Sequence, residues 1–314
     1  MVKSKLGRSF RLVISLGLLV AVVVAIVQRQ AIYDWWRLRD YTPTAEIAQV
    51  ATNASFTPDA RHIFYVYHPE LDDRSNFNSH CSSKGEQTIV LGCYVSPIGI
   101  YIYDVTDSRL NGVKEVTAAH EMLHAAYDRL SSSEKEHINQ LINQAYNNVA
   151  DERIHQNIDN YRKNGADVTN ELHSILGTEV ANLPPELEAY YHRYFTNRDQ
   201  VVADSERYEG VFTSVKDQAT AIAQQLKDLK SQIEILEQGL TQQQASLESD
   251  RPTIRTQSQA DAFNARVRSY NSQVAYVNQL VDRYNSLRDQ YNDLAVQQQQ
   301  LFQALDSRPT ATTQ

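Results

Sequence analysis

The sequence predicts an α+β domain, a short β-sheet followed by helices, between an N-terminal transmembrane helix and a C-terminal antiparallel coiled-coil hairpin. Three observations support this fold class. An uncharged apolar segment lies near the start of the chain. Short stretches rich in Ile, Val and Tyr then precede segments with helical periodicity, an order typical of α+β domains. A heptad pattern occupies the last third.

The apolar segment covers residues 12–27 (LVISLGLLVAVVVAIV), and Phe10 lengthens it. Basic residues precede it, and aromatic residues within 33–36 follow it, as at a membrane interface. A cleaved signal peptide is the alternative, but the A-x-A-like cleavage pattern is absent. We therefore expect residues 1–39 to form a cytoplasmic tail and a single-pass membrane anchor, with the rest of the chain extracytoplasmic.

The charge of the chain bears on its partners, and its cysteines agree with an extracytoplasmic location. The net charge is −8 and no dense basic run occurs outside the extreme N-terminus, so nucleic acid is not an expected partner. Cys81 and Cys93 flank turn residues, which predicts a disulfide of the kind that persists outside the cytosol. Two unpaired buried thiols are the alternative. A zinc ribbon is not expected, because no C-x-x-C pair occurs.

Between the anchor and the hairpin, we expect a linker over 40–60 and a folded domain over 61–200. Pro43 and Pro58 mark the linker as irregular. The stretches HIFYVYH, TIVLGCYV and GIYIYDV, which begin at residues 62, 88 and 99, are predicted to be strands. Helical patterns follow from about residue 113.

The segment HEMLH lies in a predicted helix over 113–130. Residues four apart share a helix face, so His120 and His124 can bind one ion, with Glu121 beside them as a general base. An ordinary buried helix with incidental histidines is the alternative, although burying these groups without a partner would be costly. The sequence therefore predicts one Zn²⁺ per chain.

The sequence VTAAHEMLHAAYD resembles the active-site helix of zincin metallopeptidases. It lacks the H-x-x-G-x-x-H extension of metzincins, because Tyr127 and Asp128 follow His124-Ala-Ala. It is therefore similar to gluzincins, whose third zinc ligand is a glutamate on a downstream helix. The resemblance covers residues 99–195 and implies hydrolysis of peptide bonds in a peptide or protein substrate.

Three glutamates are candidates for the third ligand. Glu152 lies in a polar stretch, whereas Glu171 and Glu179 both lie in the mostly apolar NELHSILGTEV. Glu171 begins an E-x-x-S spacing that resembles the third-ligand segment of the thimet oligopeptidase and oligoendopeptidase group. We predict Glu171 as the ligand, with Glu179 as the alternative. The other glutamate is then expected to orient a ligand histidine.

The segment AYYHRYF provides further candidates close after the predicted ligand helix. Tyr191 and His192 are predicted as possible stabilisers of the transition state, because zinc peptidases usually have an additional donor. Tyrosines at this spacing also suit ordinary helix packing, so that alternative stays open.

The last third of the chain is predicted to be a coiled-coil hairpin over 205–306. Heptad seams run through 212–247 and 263–305, and Pro252 lies in the break between them. Arms of similar length joined by a short break favour an antiparallel pair. A plain spacer, a dimerisation rod and a site for a protein partner are alternatives for its role. Residues 307–314 are expected to be disordered.

The sequence thus predicts a membrane-anchored, extracytoplasmic zinc peptidase with Glu121 as its general base. Two alternatives stay open. The first is a non-catalytic envelope interaction or scaffold protein that acts through the hairpin, with a structural or vestigial metal site. The second is a zinc amidase or peptidase that acts on cell-wall peptides, which would use the same metal chemistry.

Overall fold

The structure, a computed structural model, describes residues 10, 14–16, 18, 19, 22–24, 26–81, 90–163, 165 and 167–308. The chain forms two compact units. The first unit comprises Met1–Tyr208 together with Asp306–Gln314, and the second comprises Glu209–Leu305.

Helices and short strands build the first unit. Its helices are α1 (Arg29–Leu38), α2 (Ala45–Asn53), α3 (Pro58–Val66), α4 (Arg74–His80), α5 (Val113–Asp128), α6 (Ser132–Tyr146), α7 (Glu152–Lys163), α8 (Val168–Glu179), α9 (Pro185–Tyr191) and the start of α10 (Arg198–Asp250). Its strands are β1 (Glu70–Asp72), β2 (Gly92–Val95) and β3 (Gly99–Tyr103). A 3₁₀ turn covers Ser108–Leu110.

The predicted transmembrane helix over 12–27 is wrong: in the part of the chain that the structure describes, no helix is both long enough and apolar enough to cross a membrane. Residues 12, 13, 17, 20, 21 and 25 of that segment lie outside the described residues. The predicted single-pass membrane location depended on this helix and is therefore wrong as well.

The aromatic residues that suggested a membrane interface belong to helix α1, and this helix is docked on protein. The Tyr33 hydroxyl donates a hydrogen bond to the Pro97 carbonyl at 2.8 Å. The buried Asp34 carboxylate accepts two hydrogen bonds from the Arg129 guanidinium, at 2.9 and 3.0 Å. Tyr33 is therefore explained by its contact with the rest of the first unit, whereas Trp35 and Trp36 are exposed.

The predicted order of strands before helices is also wrong, because the described part of the chain is mostly helical and three helices precede β1. HIFYVYH, predicted as a strand, lies largely in α3. Its helical start is set by Thr57, whose side chain accepts from the Ala60 N–H, and by proline at the first helical turn. The expected linker over 40–60 contains α2, which Thr44 caps in the same way.

Within the described ranges the sheet has three strands in the order β1-β3-β2, so β2 lies at one edge of it. Strand β3 pairs in parallel with β1 and antiparallel with β2, with Tyr94 opposite Ile100. Ile100 and Ile102 are fully buried. The other two predicted strands are thus observed in shorter form, although residues 88 and 89 lie outside the described residues.

Helix α5 lies at the centre of the first unit. It packs against β2, β3, α2, α3 and α8. Ala118, Ala119, Ala125 and Ala126 are all buried on it, and small side chains let neighbouring elements approach closely. The predicted disulfide between Cys81, at the end of α4, and Cys93, on β2, is present.

The second unit contains most of α10 and all of α11 (Gln257–Leu305), joined through a 3₁₀ turn at Arg251–Thr253. Its buried seam consists of Leu229, Ile233, Leu240, Val277, Leu280 and Leu287. Gln243 bonds Gln273, and Arg266 bonds Asp250, so the two helices run antiparallel. The predicted hairpin is therefore present, with Pro252 in its turn.

Candidate metal centre

His120 and His124 lie on one face of α5, as their spacing predicts. Their ring centroids are 4.8 Å apart. Their side chains are 16% and 11% exposed, so both rings are largely removed from water. Two imidazoles held side by side in this way each offer a nitrogen lone pair to the same point.

Glu171 completes the group from the first turn of α8. Its Oε2 atom lies 3.6 Å from His120 Nε2 and 3.7 Å from His124 Nε2. Ligand atoms about 2.0–2.1 Å from one tetrahedral zinc ion lie roughly 3.4 Å apart. The three atoms therefore have close to the separation that a shared zinc ion requires, before any adjustment of the side chains.

The Glu171 Oε2 atom is buried and makes no hydrogen bond among the residues that the structure describes; its nearest charged partner is the protonated His120 ring, at 3.6 Å. An unsatisfied buried carboxylate oxygen is costly, and most such oxygens in folded proteins are paired. A cation between Glu171 and the two histidines would remove this cost. Two imidazole nitrogens and one carboxylate oxygen also match the donor set of catalytic zinc sites.

Asn170, which precedes Glu171, holds one of the two rings. Its Oδ1 lies 3.0 Å from His124 Nδ1. Because an amide oxygen only accepts, His124 Nδ1 carries the hydrogen and Nε2 keeps its lone pair toward Glu171. Sequence reasoning missed Asn170. The available signal was its position beside the predicted ligand, and nothing else distinguishes it from the other asparagines of the chain.

Glu121 is 6% exposed and lies against the edge strand β2. The Tyr94 backbone N–H donates a hydrogen bond to its carboxylate. A Cβ atom at Gly92 would come within 2.8 Å of Glu121 Oε1, so this strand approaches the carboxylate closely only because residue 92 is glycine. Burial raises the pKa of Glu121 to about 7, and the nearby His120 opposes that increase.

The other groups of the cluster have shifted pKa values as well. Burial would lower the pKa of His120, but interaction with Glu171 and the charges of nearby glutamates outweigh it and raise that pKa to about 9. Burial and the charge of His120 lower the pKa of His124 to about 4. Burial would raise the pKa of Glu171, but the two histidines together lower it. Without metal, one proton on His120 thus supplies the local positive charge.

The alternative ligand Glu179 lies at the far end of α8, where its Oε2 accepts from Arg153 at 2.7 Å. Glu152 begins α7 and is exposed. Of the three glutamates considered as ligands, the structure brings only Glu171 to the two histidines.

The predicted transition-state stabilisers, Tyr191 and His192, differ in their surroundings. The Tyr191 hydroxyl is buried and donates to the His173 carbonyl at 2.6 Å, which makes it a packing contact between α9 and α8. His192 follows α9 and is exposed. Neither side chain forms a hydrogen bond with His120, His124 or Glu171 among the described residues, and their role at the transition state stays a prediction.

A second group of possible ligands, which the sequence did not suggest, lies on β1 and α4. The group contains three ligand atoms that lie within 4.8 Å of one another, one each from Glu70, Asp72 and His80. Here His80 Nδ1 is 3.0 Å from Asp72 Oδ2, so the buried carboxylate has a hydrogen-bond partner within the group. Glu70 is exposed.

No protein-family model matches this sequence, and comparison with curated proteins and with solved structures finds no similar protein. The likeness to gluzincins therefore rests on the residues of the HEMLH segment and of the α8 helix alone.

Proposed function

We propose that the chain is a zinc-dependent peptidase in which His120, His124 and Glu171 hold the ion and Glu121 is the general base. One observation carries the proposal. The buried Glu171 Oε2 atom has no hydrogen-bond partner among the described residues and faces two imidazole nitrogens. A buried carboxylate beside that group supplies what hydrolysis needs and a purely structural site does not.

A zinc ion bound by these residues would supply Lewis acidity toward a water molecule and a peptide carbonyl. Glu121 takes a proton from the water oxygen as that oxygen bonds to the carbonyl carbon. It then delivers the proton to the nitrogen as the C–N bond breaks, so the carboxylate is regenerated. Burial raises the pKa of the Glu121 carboxyl, which makes it a stronger base toward the water than an exposed glutamate would be.

Strand β2 offers a binding edge for the substrate backbone. It pairs with β3 on one side and forms the edge of the sheet on the other. Its residues Gly92 and Tyr94 contact Glu121. An extended peptide that adds to this edge would gain main-chain hydrogen bonds and lie beside the general base. This arrangement favours an extended peptide as the substrate.

The test is hydrolysis by the full chain, purified and loaded with zinc. The substrates are a quenched fluorescent peptide library, a casein preparation and purified cell-wall peptides. We expect cleavage of at least one of these, loss of cleavage after chelation, recovery on adding zinc, and none by Glu121→Gln. Glu179→Gln is the matched control, because its carboxylate pairs with Arg153 and lies outside the group.

Cleavage of wall peptides alone would assign the amidase alternative. Equal cleavage by the wild type and by zinc-loaded Glu121→Gln would contradict the proposed mechanism. No cleavage by a folded, zinc-loaded wild type would contradict the enzyme. The interaction role of the hairpin would then become the better explanation, since Ile235, Val296 and Phe302 are exposed on it.

A further inference from the structure

Strand β2 is short and lies at the sheet edge, yet it must stay close to Glu121. It spans Gly92–Val95 and, among the residues that the structure describes, has one strand neighbour. Edge strands of this length have few hydrogen bonds of their own and open easily. The position of β2 therefore depends on the contacts that hold its two ends.

The turn that follows β2 is held by helix α1. Arg37 Nη2 donates to the Ile98 carbonyl, and the Tyr33 hydroxyl donates to the Pro97 carbonyl, both at 2.8 Å. These contacts fix the turn between β2 and β3. They do not reach the beginning of β2. There the Tyr103 N–H donates to the Leu91 carbonyl at 2.8 Å, and Val90, one residue earlier, has a further support.

That support comes from the segment Asp306–Arg308, here called the C-terminal strap, which belongs to the first unit. Ser307 is 3% exposed. Its Oγ donates to the Val90 carbonyl at 2.5 Å, and its own carbonyl accepts from Asn78 Nδ2 at 2.5 Å. One buried serine thus bridges Val90, two residues before β2, and helix α4.

The strap and the disulfide hold the same segment. Asn78 lies on α4, whose C-terminal neighbour Cys81 is bonded to Cys93 on β2. Val90 lies two residues before Gly92, the residue that contacts Glu121. A shift of the Val90 backbone would therefore be transmitted along the strand to the general base.

We propose that Ser307 is a positioning residue for the peptidase site: its hydrogen bond to Val90 keeps β2 in register against Glu121. This inference rests on the proposed function for its catalytic consequence. Ser307 acts through the strand and does not touch the reacting atoms. Removing its hydroxyl leaves the Val90 carbonyl without this partner and loosens the beginning of β2.

The test compares full-length wild type, Ser307→Ala and Ser307→Thr, where threonine keeps the hydroxyl. Ser79→Ala is the control, because Ser79 lies on α4 and its hydroxyl bonds only to the nearby Asn76 carbonyl. Hydrogen exchange of the β2 amides is measured first. We expect Ser307→Ala to speed that exchange about tenfold, as for the loss of one hydrogen bond, with Ser307→Thr and Ser79→Ala close to wild type.

Kinetics on the fluorescent peptides then test the catalytic consequence. Ser307→Ala should lower kcat/KM about tenfold at full zinc content, measured well below the unfolding temperature, with recovery in Ser307→Thr. A lowered Tm with unchanged kcat/KM and KM would overturn the positioning role. Unchanged exchange in β2, or faster exchange spread equally over α8, would overturn the strap as a support for the strand. Exchange needs no substrate, so it tests the strap even if the wild type cleaves nothing.

Discussion

Two groups of histidine and carboxylate side chains in the first unit have the same donor types but different surroundings. In the cluster of His120, His124 and Glu171, a buried carboxylate oxygen faces two nitrogens without a hydrogen-bond partner among the described residues. In the group around Asp72, the buried carboxylate is already paired with His80 at 3.0 Å. In both groups, histidine and carboxylate ligand atoms lie close together. We propose the first as a cation site because its buried carboxylate oxygen makes no hydrogen bond, whereas that of Asp72 makes one.

The two groups also differ in what lies beside them. The first has Glu121 next to it on the same helix, buried against the edge strand β2. The second includes an exposed Glu70 and lies on β1 and the short helix α4. Only for the first does an adjacent buried carboxylate suggest a reaction, which is why we propose catalysis there and treat the second as a hydrogen-bonded pair.

The largest expected effect is on zinc affinity in Glu171→Gln. We expect a decrease of more than about 100-fold, because even outer-shell losses cost 10–100-fold and this change removes a ligand charge. Glu179→Gln should leave the affinity unchanged. Competition with a chromophoric chelator measures both. A greater loss in Glu179→Gln would contradict the assignment of the third ligand.

Gly92→Ala should reduce kcat/KM about 100-fold while zinc stays bound, since the added Cβ would lie 2.5 Å from Thr117 Cγ2 and 2.8 Å from Glu121 Oε1. Gly239→Ala is the control, because a Cβ there meets nothing within 4 Å. Peptide kinetics measure the loss of activity, and zinc analysis of the same samples shows whether the metal is retained. Full activity in Gly92→Ala would show that the position of Glu121 does not matter.

Asn170→Ala should weaken zinc binding about tenfold, the low end for losing a group that orients a ligand histidine. Asn170→Asp keeps an acceptor for His124 Nδ1 and should bind zinc at least as well as the wild type. Asn143→Ala serves as a control, because its side chain bonds only to the Asn139 carbonyl within α6. Equal affinity in all variants would remove Asn170 from the site.

Zinc affinity should also depend on pH. The pKa of His120 is raised to about 9, so below that pH a proton occupies the ring and must leave when zinc binds. Zinc affinity should therefore rise with pH, by about tenfold per pH unit, until about pH 9. Titrations in metal-free buffers at several pH values would show this. Affinity independent of pH in that range would contradict the role of His120 as a ligand.

The smallest effect on zinc is expected in the second group. His80→Ala removes the partner of the buried Asp72 carboxylate and should lower the free energy of unfolding by about 1–3 kcal/mol, without changing zinc affinity. His137→Ala breaks an exposed pair with Glu186 and should cost less than about 1 kcal/mol. Urea unfolding of the zinc-free chains measures both. Reduced zinc affinity in His80→Ala would remove the distinction between the groups.

The helical part of the site could be predicted from sequence because helix geometry alone places residues four apart on one face. That argument brings His120 and His124 together without knowledge of the fold. Glu171 came from the resemblance to gluzincins, since its approach depends on how α5 and α8 pack. Asn170 could not be found in this way, because the contact with His124 is a product of the same packing.

The fold likewise contains parts that the sequence predicted correctly and parts that it did not. The hairpin follows from a heptad pattern repeated over many turns, which is a strong signal. The short stretch HIFYVYH was predicted as a strand from its Ile, Val and Tyr content, but Thr57 and Pro58 before it start a helix. The apolar segment 12–27 was predicted as a membrane span from its apolar composition and its basic and aromatic flanks, and the described part of the chain contains no helix long and apolar enough for that role.

The most direct test of the account is the zinc content of the full chain, measured by elemental mass spectrometry after zinc loading and removal of unbound metal. Wild type, His124→Ala and His80→Ala are compared as folded samples. The account predicts about one zinc per chain in the wild type and in His80→Ala, and none in His124→Ala. No zinc in the wild type, or zinc kept by His124→Ala and lost by His80→Ala, would contradict it.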